Sequence, residues 1–260
     1  MKKLLMLIAI ILLGNSVVAQ DKLYLIFEFM KVDNEQEQAY METETFWEKI
    51  QEQRTKNGDI IGWDLWSLQP GGEAQGFQYL TVTLYNDPVK MMSSAGNFEE
   101  ALKAAYPKMT QAELDKKFMS TSKSRDLAHR IYLEQIAATK DNFQMPLGTI
   151  AGINLMKVSD ANFENYEKFE TAVFQPIAQK EVDAGMRGNW GLMRYMLPTG
   201  SDVYATHITA DMYKDYNQLF NGGSVNGSEL TEAQIKKIQE GLTTRDMKYK
   251  YMATLVKKVR

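Results

Sequence analysis

Phe29-Met30-Lys31-Val32 returns 126 residues later as Leu155-Met156-Lys157-Val158, and this echo decides the fold. Each copy runs into a polar start, Asp33-Asn34 or Ser159-Asp160, and then into a helical pattern. In the second copy Phe163, Tyr166, Phe169, Val173 and Ile177 recur at three- and four-residue steps, which marks one buried helix face. Tyr40, Trp47 and Ile50 mark a weaker face in the first copy. Pro176 has no backbone donor and should kink or shorten the second helix, just where the repeat register slips by one residue. Gly58 and Gly185 stand where a helix would end in a left-handed residue.

Each helix gives way to a tryptophan-bearing strand, 61–66 or 188–193, and then to a turn, Pro70-Gly71-Gly72 or Pro198-Thr199-Gly200. The returning strands alternate with period two over 79–84 and 204–209. Capping boxes, Thr110-Gln111-Ala112-Glu113 and Thr231-Glu232-Ala233-Gln234, open a later helix in each copy. The closing segments 124–132 and 244–252 share an Arg-Asp pair and read as final strands, with a helix as the alternative. The order per copy is therefore β-α-β-β-α-β, the ferredoxin-like arrangement. The first unit occupies 20–140, a linker 141–147 and the second unit 148–260. In element order and repetition the chain resembles the dimeric α/β-barrel superfamily. That resemblance implies an α+β fold in which two ferredoxin-like units pair their sheets into one barrel with helices outside, here in tandem on one polypeptide. A sheet with helices on one face leaves the other face apolar, and the second copy is expected to cover it.

The first nineteen residues read as an address. Lys2 and Lys3 precede an apolar run from Leu4 to Leu13, and Val17-Val18-Ala19 supplies the small residues of a cleavage site after Ala19. Ten apolar residues at about 1.5 Å each cannot cross a ~30 Å hydrocarbon core. The expectation is a periplasmic or secreted protein with no membrane association after cleavage. The chain has no cysteine, which rules out a lipoprotein anchor, disulfides and thiolate chemistry. Loss of Lys2 and Lys3 takes the formal charge from −3 to −5, no footprint for nucleic acid. At 44% apolar and 11% aromatic residues the composition is that of a packed globule, monomeric or homo-oligomeric.

Motifs that carry chemistry are scarce. There is no phosphate loop, paired-histidine zinc site or EF-hand, and no metal is expected. Ser120-Thr121-Ser122-Lys123 matches a four-letter nucleophile pattern without its partner motifs, and the 222–226 loop falls one glycine short of a nucleophile elbow. His207, on a strand whose first-copy equivalents are read as Leu80, Val82 and Leu84, suits a hydrogen-bonded core residue, with a ligand or haem axial contact as the alternative. His129 stands where the second copy has Tyr249, and suits a barrel lining or a packed side chain equally. Arg125-Asp126 and Arg245-Asp246 fit structural pairs at a helix-to-strand connection, or grips for a carboxylate ligand. Trp63 and Trp190, with Tyr79, Tyr204 and Tyr249, describe either an aromatic pocket or a filled core.

The expected ligand set is thus Trp63, Tyr79, His129, Trp190, Tyr204, His207 and Tyr249. Three function classes follow. A small apolar or aromatic ligand held in the barrel cavity ranks first. An oxygenase-like enzyme ranks second, because the superfamily it resembles includes cofactor-free monooxygenases and haem-handling members. A structural barrel filled by its own side chains is third.

Overall fold

A computed structural model describes residues 22–70, 72–93, 97–223 and 231–260, so the expected leader at 1–19 and part of the 222–226 loop lie outside it. Strands β1 (Tyr24–Lys31), β2 (Gly62–Gln69), β3 (Tyr79–Tyr85) and β4 (Asp126–Ala138) form the first sheet. Strands β5 (Ile150–Lys157), β6 (Asn189–Leu197), β7 (His207–Tyr213) and β8 (Asp246–Val259) form the second. Each sheet has the ferredoxin-like order, β4-β1-β3-β2 and β6-β7-β5-β8, and all pairs are antiparallel. The edges join β2 to β8 and β4 to β6, closing an eight-stranded barrel with no free edge. The closing segments are strands.

Period two sorts each strand. On β1, Leu25, Phe27 and Phe29 pack inside the barrel with Leu80, Val82, Ile131 and Leu133 and with the second sheet's Ile153, Leu155 and Ile208. Ile26 and Met30 turn outward instead. There the sheet is covered by α1 (Glu37–Lys56), α2 (Pro88–Ser93), α3 (Phe98–Ala105) and α4 (Gln111–Ser120). The second sheet is flanked by α5 at 163–183, α6 (Tyr216–Asn221) and α7 (Glu232–Leu242). Both capping boxes form: Thr110 and Thr231 each accept from a backbone N–H, and Glu113 and Gln234 accept in return.

Two local irregularities position the sites. Opposite β1, Phe29 pairs with His129 but Met30 pairs with Leu127, leaving Ala128 as an extra residue. Opposite β5, Leu155 pairs with Tyr249 and Met156 with Met247, leaving Lys248. One extra residue reverses which way the strand faces, so the chain before each bulge turns its alternate residues to the helices. The other irregularity lies in α5, where Glu170–Phe174 forms a π-turn between two α segments. Pro176 cannot bond to the carbonyl four residues back, and the wider turn accommodates both that loss and the one-residue slip of the repeat. The helix continues to Asp183, so it is neither cut short nor ended by the proline.

One register expectation needs correction. Strand β7 begins at His207, not Tyr204, and His207 sits opposite Met156 as Tyr79 sits opposite Met30. The first-copy equivalent of His207 is therefore Tyr79, on the helix-facing side. The apolar Leu80, Val82 and Leu84 belong to the other face.

Leu133 is fully buried inside the barrel. Leu133→Ala is expected to lower unfolding free energy by about 2–5 kcal/mol, read as a drop in the urea midpoint with an unchanged slope.

Candidate functional site

Helix α1 carries Tyr40 and Glu44 one turn apart, facing the sheet. The Glu44 side chain is 1% exposed; its Oε1 accepts a hydrogen bond from Arg125 Nη1, and its Oε2 is buried without a partner. Arg125 reaches it from just ahead of β4, and Thr43 Oγ1 and Ser124 Oγ, 2.9 Å apart, tie that segment to the helix. Burial pushes the Glu44 carboxyl up to about 7, against the opposing pull of the Arg125 charge. The Tyr40 hydroxyl is buried beside this carboxyl, makes no well-formed hydrogen bond, and still draws the carboxyl's pKa down.

The second copy repeats the constellation at Tyr166, Glu170 and Arg245. Arg245 Nε lies 3.5 Å from Glu170 Oε1, and burial again raises the carboxyl to about 7 against the arginine's charge. The sequence reading paired each arginine with its neighbouring aspartate; the structure pairs it with a helical glutamate. Glu44 and Glu170 were the residues that reading missed. Their signal was present, since Tyr40/Tyr166 and Glu44/Glu170 share the 126-residue offset of the opening echo.

Each carboxyl borders a pocket between sheet and helices, and the two pockets differ. The first has about 420 Å³ and is walled by Trp47, Trp63, Tyr85, Phe98 and Tyr132, with Glu28 and Arg130 at its polar side. Glu28 accepts from Arg130 Nε at 2.8 Å, while Trp47 Nε1 is buried without a partner. The second has about 260 Å³. In it Arg187 is held between Glu181 and Asp211, and Val173 replaces Trp47 at the 126-residue offset.

Inside the barrel the middle is packed with apolar side chains, and cavities open toward its ends, one of about 390 Å³ and one of about 220 Å³. The larger is lined by His129 and Tyr204 together with Phe29, Phe77, Tyr195 and Tyr251. Tyr249 stands beside it, its ring 4.4 Å from that of Tyr251. Trp63 and Trp190 lie elsewhere, in the first and second helix–sheet pockets. Tyr79 packs on Tyr40, ring centres 4.6 Å apart, and His207 packs on Tyr166 at 5.0 Å. The seven expected residues thus divide among distinct places, and His129 and Tyr204 share the barrel mouth.

Haem iron needs an axial side chain, most often imidazole or thiolate. His207 is fully buried with Nδ1 3.0 Å from Thr206 Oγ1 and Nε2 3.1 Å from Glu167 Oε1, so both nitrogens are engaged. Burial also lowers its pKa and keeps the ring neutral. Neither helix–sheet pocket is lined by a histidine, and His129 offers an imidazole only at the barrel mouth. Among the described residues no group of three or more His, Cys, Asp or Glu is placed to hold a metal, and no helix is long and apolar enough to cross a membrane.

The architecture is a dimeric α/β-barrel fold, with both halves on one chain. A provisionally named monooxygenase from Fusobacterium nucleatum subsp. nucleatum superposes with a TM-score of 0.56 at 12% identity, over 92% of this chain and 94% of that one. A second provisionally named monooxygenase, from Lactobacillus acidophilus NCFM, gives 0.52 at 11% identity, over 92% and 95%. At such identities the likeness is one of fold. No family model matches the sequence. No curated protein matches it either.

The raised carboxyl gives a stability signature. Native Glu44 holds its proton more tightly than the unfolded chain does, so its contribution is present below about 4.5 and is lost as pH rises to about 7. Urea unfolding should show wild type losing stability across that window, on the order of 3 kcal/mol from this group. The difference between wild type and Glu44→Gln should carry that slope; parallel pH profiles for the two would contradict it.

Proposed function

We propose that the protein takes a small aromatic ligand with a weakly acidic proton into the first helix–sheet pocket, and that Glu44 accepts that proton. The observation behind this reading is one carboxyl: 1% exposed, one oxygen without a well-formed hydrogen bond, and pushed up to about 7 by burial beside a cavity of about 420 Å³. A base is most effective when its pKa stands near the working pH. An unpartnered buried acceptor costs free energy that a ligand's O–H or C–H donor can recover. Trp47, Trp63, Tyr85, Phe98 and Tyr132 supply the apolar wall for the ring. In the proton transfer the ligand's C–H or O–H bond breaks, its electron pair stays on the ligand, and Glu44 becomes a neutral acid. Arg130 and Arg125 then face the new negative charge.

This reading favours the oxygenase-like alternative over a passive barrel, because a buried carboxyl poised to accept a proton has a chemical role that a filled core does not need. The second pocket is smaller and occupied by its own ion pairs. Export to the periplasm or the medium belongs to the same proposal. It predicts that Edman sequencing of protein recovered outside the cytoplasm begins at Gln20.

The chemical test is exchange of the α-protons of 2-tetralone in D2O, followed by NMR, which needs no oxidant. Wild type should accelerate exchange by about 10²–10⁴-fold, with a rate rising through a pH of about 7. Glu44→Gln should abolish most of that. Equal rates for the two proteins would sink the proposal.

A further inference from the structure

We propose that the barrel mouth is a second ligand site, taking a neutral aromatic molecule that carries a carbonyl acceptor. It lies on the opposite face of the first sheet from Glu44: adjacent residues Phe29 and Met30 of β1 line the two cavities. The two sites share only the Arg130 side chain among their lining residues.

The cavity of about 390 Å³ is within the size of small-molecule sites. Its apolar side is a continuous set of rings: Phe29 to Phe77 at 4.8 Å, Phe77 to Tyr251 at 5.5 Å and Phe77 to His129 at 5.8 Å. Such spacings leave flat faces available to a further ring. Leu155, Ile131 and Ala205 complete the floor.

The polar groups choose the ligand. Tyr195 on β6 and Tyr251 on β8 are 9% and 7% exposed, and neither hydroxyl has a hydrogen-bond partner among the described residues. Tyr204, by contrast, donates to the Lys248 carbonyl at 3.0 Å. Burial raises both phenols, Tyr251 to about 12, so they remain donors at neutral pH. A ring of aromatics could also receive a cation. Among the described residues no carboxylate lines the cavity, whereas Arg130 and His129 do, and that balance disfavours a cationic guest. Two unspent donors, a stack of rings and no acid fit a neutral ring system with a hydrogen-bond acceptor.

The test compares 2-acetylnaphthalene with 2-ethylnaphthalene, near-equal in shape but differing in the carbonyl, by titration calorimetry on the whole protein. The ketone should bind about three- to tenfold tighter, the worth of a neutral hydrogen bond. The doubly substituted Tyr195→Phe/Tyr251→Phe protein should bind both equally. It should melt no lower than wild type, because those hydroxyls bond to nothing among the described residues. Val203→Trp, which fills the mouth from its rim, should remove the binding of both. The proposal is overturned if neither compound binds, if Val203→Trp binds them as wild type does, or if the preference for the ketone survives loss of both hydroxyls.

Discussion

A four-stranded sheet with helices on one side has an apolar back and two unpaired edges, and a single answer serves both. The second copy lays its own apolar face against the first, and the edges pair β2 with β8 and β4 with β6. Ion pairs mark these seams. Arg260 at the end of the chain donates to both carboxylate oxygens of Asp64 at 2.9 and 3.0 Å. Arg194 on β6 donates from Nε to Glu134 on β4 at 2.9 Å. Neither half could keep its core dry or its edges satisfied without the other.

Closure leaves two kinds of space. The barrel interior is filled at mid-height and opens at its ends, so a ligand can enter only part way. The space between sheet and helices is bounded by side chains of opposite parity, and it is there that the buried carboxyls lie. The bulges at Ala128 and Lys248 connect the two kinds of space. Each sends one stretch of a single strand outward and the rest inward, so β4 contributes Leu127 to a helix–sheet pocket and His129 to the mouth.

The architecture was legible in the sequence because it was written twice: echo, tryptophan strand, capping box and tail recur in order. The site was harder to read for a physical reason. A buried glutamate breaks the periodic pattern by which buried helix faces are recognised, so spacing alone does not single out Glu44 or Glu170. The partners were misjudged because sequence proximity favoured Arg125 with Asp126, whereas packing brings the helix 81 residues away to it. His207 was compared with the wrong face because its strand begins three residues later than alternation alone suggested, and one residue of register is enough to invert a strand. The π-turn at Glu170–Phe174 was foreshadowed by the slip in repeat spacing, where a kinked or shortened helix was expected.

Joining the halves in one polypeptide has a consequence for how the molecule can change. In an assembly of two identical chains, every substitution is inherited by both sites, and an alteration useful in one is imposed on the other. Here Trp47 faces Val173 across the pseudo-twofold relation, and Glu28 corresponds to Asn154. The smaller pocket has taken in Arg187 and Asp211 while the larger has kept its aromatic walls. Covalent linkage releases the two copies from identity, so one can hold an open aromatic cavity while the other is narrowed by its own ion pairs.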